Sequence, residues 1–263
     1  MIPQAFIVEW QGSAPWLADS QVEQDLVLSR VLVEVFCRPG MGENLAFRGA
    51  TALYKLQLPV AWRYSEDIDL VQMKPGPIGS TLNELRKAID PLLGSPSWEQ
   101  KEGSVILQYR FASEIPPIVP LRLKLEINTR EHFTVMGIHR KRFVVKSRWF
   151  SGECELRTFT LEELLGTKLR ALYQRRKGRD LFDLWIGLTE GKADPMSIVK
   201  VFKHYMENGG NRVSRNDFLK NLETKMKNRF FHQDTTGLLR PGSEYDPEIA
   251  CAMVKERLIK LLK

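Results

Sequence analysis

The segment Leu121-Arg-Leu-Lys-Leu-Glu-Ile-Asn128 alternates apolar and polar residues without a break. Side chains along a strand point to opposite faces in turn, so strict alternation predicts a half-buried β-strand. Leu121, Leu123, Leu125 and Ile127 then make the buried face. Arg122, Lys124, Glu126 and Asn128 make the other. A chain with such a strand must build a sheet with one apolar and one polar side.

The same rule applied to Arg63-Tyr-Ser-Glu-Asp-Ile-Asp-Leu-Val71 puts Asp67 and Asp69 on one face and turns Ile68 and Leu70 into a core. Two carboxylates side by side are costly unless a cation neutralises them, and a hard divalent ion suits oxygen donors. Gly49 stands eighteen residues before Asp67, and the stretch around it, Phe47-Arg-Gly-Ala-Thr-Ala-Leu-Tyr-Lys55, reads as a strand end, a turn at that glycine and a helix. A glycine turn that opens a helix exposes backbone N–H groups suited to phosphate. Glu126 is the natural third acid of a metal site. A surface strand in which Glu126 pairs with Lys124 or Arg122 fits the same residues.

The chain has 263 residues, 43% of them apolar, which suits one large domain or two modest ones. No apolar run approaches the roughly 20 residues of a membrane span. The first ten residues lack a basic, then long apolar, leader pattern. Cys37, Cys154 and Cys251 are odd in number and widely spaced, giving neither a disulfide framework nor a zinc spacing. Together these predict a cytoplasmic protein with no membrane partner. The net charge is +7, and residues 140–180, with 12 Lys/Arg against 5 Asp/Glu, hold the entire excess. Such a segment is either a solvated surface or a nucleotide or nucleic-acid footprint.

Ser20-x-x-Glu23 and Thr81-x-x-Glu84 predict capped helix starts, with Pro39-Gly40 and Pro91 as stops. Residues 104–111 and 143–149 are further strand candidates. From Thr160 onward the pattern is helical. The expected division is a sheet domain over 1–155 and a helical domain over 156–263.

Thr160-x-x-Glu163 fixes the phase of the next helix, and Leu161, Leu164, Leu165 and Leu172 then form one stripe with Lys168 in its middle. A lysine so placed needs an anionic partner, and a triphosphate would be one. Asp180 and Asp183 follow one turn apart on a shared face, where either could orient Lys168 or take part in the site directly. His132, His139, His204 and His232 show no ligand or triad spacing.

In this order, Phe-Arg-Gly-Ala-Thr-Ala-Leu-Tyr-Lys, Arg-Tyr-Ser-Glu-Asp-Ile-Asp-Leu, Lys-Leu-Glu-Ile, Leu-Glu-Glu-Leu-Leu-Gly-Thr-Lys-Leu-Arg-Ala-Leu and Arg-Asp-Leu-Phe-Asp-Leu resemble the AbiEii/AbiGii-type nucleotidyltransferase toxins. That family lies within the DNA-polymerase-β-like superfamily. The resemblance covers roughly residues 20 to 187 and departs at Ala50, where the family has a second glycine. It implies an α+β fold: a mixed sheet with flanking helices, then a helical C-terminal region. It implies transfer of a nucleotide from an NTP with Mg²⁺ or Mn²⁺, in a toxin–antitoxin or phage-defence system with a cognate antitoxin. Some members act on the acceptor end of tRNA, so RNA is the expected acceptor. The implied metal ligands are Asp67, Asp69 and Glu126. The implied catalytic group adds Lys168, Asp180 and Asp183. Gly49, Thr51, Lys55, Ser65 and Lys168 are the implied nucleotide contacts. Ser65 and Thr51 are also candidate sites for restraint by phosphorylation. Two alternatives use the same residues: an inactive scaffold that binds nucleic acid or a partner, and transfer to a protein or small molecule.

Overall fold

The computed structural model describes residues 2–263. They divide into two compact units. The first comprises the chain up to Leu56, Arg63–Phe133 and Ile138–Phe159; the second comprises Gln57–Trp62, Thr134–Gly137 and Thr160–Lys263.

The first unit holds a seven-stranded mixed sheet. Its strands are β1 Leu45–Arg48, β2 Asp67–Gln72, β3 Ser97–Lys101, β4 Ser104–Ala112, β5 Pro120–Asn128, β6 Ile138–Lys146 and β7 Ser151–Phe159. Their order is β3-β4-β5-β2-β1-β7-β6, with β2 parallel to β5 and β1 parallel to β7. The alternation in β5 is realised: Leu121, Leu123, Leu125 and Ile127 are buried, while Arg122 is exposed and Lys124, Glu126 and Asn128 are half-buried. The apolar face packs on α2 (Asp19–Phe36) and α5 (Gly79–Leu93). The Tyr109 hydroxyl on that face donates to Asp90 of α5 at 2.8 Å. The helix α1 (Gln4–Trp10), the short turns α3 (Met41–Asn44) and α4 (Gly49–Ala52), and a π-helical turn over Leu53–Gln57 complete the unit.

Local signals were less faithful than periodicity. The helix α2 starts after Ala18, whose N–H donates to the Gln21 side chain; Ser20 is not its cap. Glu23 instead points inward and accepts from the Glu114 N–H at 2.9 Å. No side chain caps α5, and Pro91 sits inside its last turn instead of stopping it; Gly94, at φ +77°, ends it. The predicted strand over 143–149 is the second half of β6, which forms a hairpin with the unpredicted β7.

The second unit is helical: α6 Leu161–Gln174, α7 Gly178–Thr189, α8 Pro195–Asn208, α9 Arg215–Met226, α10 Arg229–Gln233 and α11 Pro247–Arg257. A β-carbon on Gly166 would stand 2.3 Å from Val201, so α6 and α8 pack too closely for any other residue there. Buried Lys225 donates to the carbonyls of Leu172 and Tyr173 (2.7 Å to the latter), satisfying the last turn of α6. Among the described residues, no helix is long and apolar enough to cross a membrane.

Candidate active site

Residues directly opposite across a ladder share a face. Arg48 lies opposite Asp69, and Asp69 opposite Glu126, so the three form one row across β1, β2 and β5. Asp67 and Lys124 form the next row. All lie on the polar face of the sheet. The expectation that Asp67 and Asp69 share a face, with Ile68 and Leu70 in the core, is what β2 shows.

Charges on this face are closely balanced. Lys124 Nζ donates to Glu126 Oε2 at 2.6 Å. Burial pushes the Asp67 pKa up; Glu66 and Glu126 add to the rise, and Lys124 and Arg122 oppose it. Burial works against the Lys124 ammonium, but its hydrogen bond to Glu126 and the charges of Asp67, Glu126 and Asp69 outweigh it and raise its pKa. Arg48 is held by Glu131 at 2.9 Å.

The turn beside the aspartates explains its glycine. Gly49 has φ +80°, and a β-carbon there would lie 2.0 Å from Asp69 Oδ2. The left-handed angle falls on Gly49 alone. Ala50 is buried in α4 at negative φ, so the departure from the family's second glycine imposes no strain. Thr51 is buried, and its hydroxyl donates to the Asp67 carbonyl at 2.6 Å. The Ser65 hydroxyl, 2.9 Å away, is then the donor to Thr51. These two side chains stitch the turn to the start of β2.

Sequence reasoning gave Thr51 and Lys55 to the triphosphate; the structure places both in internal contacts. Lys55 Nζ bonds both oxygens of Asp25 and the Ser29 hydroxyl, each at 3.0 Å. Asp25 also accepts from the indoles of Trp10 and Trp16. Nothing local marks Asp25, which meets Lys55 across 30 residues of chain.

Glu126 stands in the expected row, but its carboxylate is paired with Lys124. Among the described residues, no group of three His, Cys, Asp or Glu is arranged to hold a metal. Asp67 and Asp69 remain a suitable two-carboxylate platform. Magnesium is commonly held by one or two carboxylates, with substrate phosphates and water supplying its other ligands.

In the helical unit, Lys168 is buried and holds the two aspartates expected to orient it: Asp183 at 2.9 Å and Asp180 at 3.5 Å. Arg175 grips Asp180 with two bonds of 2.7 and 2.8 Å. The Thr160 hydroxyl caps α6 as expected, accepting from the Glu163 N–H at 3.1 Å. Glu163 does not complete the capping box. Its buried carboxylate accepts from Thr134, Val135, Met136 and Tyr205. The basic excess of residues 140–180 divides between the two units, and much of it is neutralised. Acids from outside the segment meet Arg140 (Glu43), Arg148 (Glu9), Lys168 (Asp183) and Arg179 (Asp234), while Arg142 pairs with Glu153 inside it.

The model of the family described as nucleotidyl transferase AbiEii toxin, type IV toxin–antitoxin system, matches residues 30–249. The chain belongs to this family. The match runs well past Gly187, so the AbiEii pattern includes helices in which the sequence showed no recognisable motif. This AbiEii-family protein shares its fold with MenT4, a nucleotidyltransferase toxin from Mycobacterium tuberculosis H37Rv. The TM-score is 0.62 at 15% identity, over 100% of this chain and 91% of MenT4. JHP933 from Helicobacter pylori is similar over 93% of this chain and 92% of its own, with TM-score 0.56 and 18% identity. A comparison with curated proteins gave no match.

Proposed function

We propose that this AbiEii-family toxin transfers a nucleotidyl group from an NTP to a hydroxyl of an RNA acceptor, such as the 3′ end of tRNA. The observation that carries this reading is the placing of Asp67 and Asp69 on one sheet face, with the Asp69 carboxylate against the Gly49 turn. Attack of the acceptor oxygen on the α-phosphorus forms the new phosphodiester bond, and the α–β bond breaks to release pyrophosphate. Asp67 and Asp69 would hold Mg²⁺ or Mn²⁺, which when bound neutralises phosphate charge and favours the acceptor alkoxide. The N–H groups that open α4 offer donors to the triphosphate. Lys124 offsets repulsion within the acidic row. Glu126 is the base assigned to the acceptor proton, exchanging its bond to Lys124 for that proton.

A nucleotide-transferring toxin calls for restraint, so a cognate antitoxin and a role in phage defence within the bacterial cytoplasm form part of this proposal. Participation of Lys168, Asp180 and Asp183 in the reaction is proposed separately. Lys168→Arg retains the charge and Lys168→Ala removes it, so a charge requirement predicts activity in the first only. Incubation with each labelled NTP, total bacterial RNA and Mg²⁺ tests the whole reading, and label in RNA is expected. Label on protein or a small molecule would move the acceptor elsewhere. No turnover with any NTP would leave an inactive scaffold.

A further inference from the structure

The polar face of the sheet continues beyond the acidic row into a basic one. Arg110 on β4 lies directly opposite Arg122 on β5. Both are exposed, and Arg122 shares its face with Lys124 and Glu126. Like charges in directly opposed positions work against strand pairing. Across that ladder no acid separates them. Among the described residues, the one salt bridge of Arg122 is to Glu66, at a loose 3.9 Å, beyond which it exerts a longer-range pull on Asp67, and Arg110 has no ion-pair partner. Arginines elsewhere in the first unit, such as Arg48, Arg140 and Arg142, each have a bonded carboxylate. The pair is also close to the aspartates. Lys124 neighbours Asp67, Arg122 is two residues further along the same face, and Arg110 is one strand further out. Strand spacing and rise put the Arg110 backbone roughly 12 Å from that of Asp67.

We propose that Arg110 and Arg122 form the surface on which the phosphate backbone of the RNA acceptor lies as its terminal hydroxyl reaches Asp67 and Asp69. This rests on the nucleotidyl-transfer reading above. It relocates RNA recognition from residues 140–180, whose arginines are largely paired, to a site on the sheet face. Guanidinium groups suit this task because their fork of donors matches phosphate oxygens. Charge complementarity selects a polyanion, and the adjoining carboxylate pair selects one that carries a reactive hydroxyl.

The test is equilibrium binding of bacterial tRNA to the full chain across a KCl series, without NTP. Three proteins are compared: wild type, Arg110→Gln/Arg122→Gln, and Lys141→Gln/Lys146→Gln on β6. Each phosphate contact contributes roughly 0.7–0.9 to the slope of log affinity against log salt. The arginine variant is expected to lose at least tenfold in affinity at low salt and about 1.5 units of slope. The lysine variant is expected to bind as wild type does. Thermal melts at matched salt show that both variants fold. Wild-type affinity and slope in the arginine variant would overturn the proposal. So would equal losses in the two variants, or binding of phosphatidylserine vesicles but not tRNA. Because the assay needs no turnover, tRNA binding without transfer by wild type would sink the catalytic reading instead, leaving the arginine site a plain RNA-binding surface.

Discussion

The Asp69 carboxylate occupies the space that a β-carbon on residue 49 would need: Oδ2 would be 2.0 Å from it. The strand that presents the acids and the turn that precedes α4 thus meet without a spacer. Only a residue with no side chain, able to hold φ +80°, closes this corner.

Gly49→Ala should therefore do two kinds of damage. The left-handed angle costs about 1 kcal/mol or more for alanine, and the methyl group must push Asp69 aside. Transfer activity is expected to fall at least 100-fold while far-UV circular dichroism stays near wild type. Ala50→Gly, at an ordinary helical φ, is expected to leave transfer within a few-fold of wild type. Near-wild-type transfer by the Gly49 variant would show that the contact with Asp69 does not matter.

Lys168 should matter to stability whatever its part in the reaction. Its removal takes the 2.9 Å ion pair from buried Asp183 and one of two cations, the other being Arg175, from buried Asp180. Breaking a buried pair by removing one partner costs about 3–5 kcal/mol. Urea unfolding of Lys168→Met should show a loss of that order, and Lys168→Met/Asp183→Asn should recover part of it. Additive losses would mean that the two side chains are not coupled.

Glu23 predicts a pH dependence opposite to that of a salt-bridged carboxylate. Burial pushes its pKa from the ordinary 4.5 up to about 7. Between these values the folded chain keeps the proton and the unfolded chain releases it. Its contribution to stability is therefore full below about pH 4.5, declines as pH rises, and is flat above about 7. Glu23→Gln keeps an acceptor for the Glu114 N–H and removes the titration. It should raise stability at pH 8 by about 2 kcal/mol and change it little at pH 4.5. An equal effect at both pH values would refute the linkage.

What the sequence made legible was periodic or tied to backbone geometry. Alternation exposed β5, the Asp-x-Asp spacing exposed the acidic face of β2, and a glycine before a helical stretch exposed the turn at residue 49. What it hid depends on partners distant in the chain. Glu163 reads as a capping-box residue until the loop at Thr134–Met136 and Tyr205 claim its oxygens. Lys55 reads as a phosphate ligand until Asp25 is seen to hold it. The strand β7 buries Cys154, Leu156 and Thr158, a weaker apolar alternation than that of β5. Charge counted along residues 140–180 suggested a footprint, but acids supplied from other segments absorb much of it.

The most direct test of the account is NTP-dependent release of pyrophosphate by purified wild type and Asp69→Asn, measured with Mg²⁺ and total bacterial RNA, with labelled RNA product followed in parallel. Asparagine keeps the shape of the side chain beside Gly49 and removes its charge. The account predicts pyrophosphate and labelled RNA in equal amounts from wild type. It predicts at least a 100-fold loss of both from Asp69→Asn, with an unchanged thermal melt. Comparable turnover by the two proteins would contradict it.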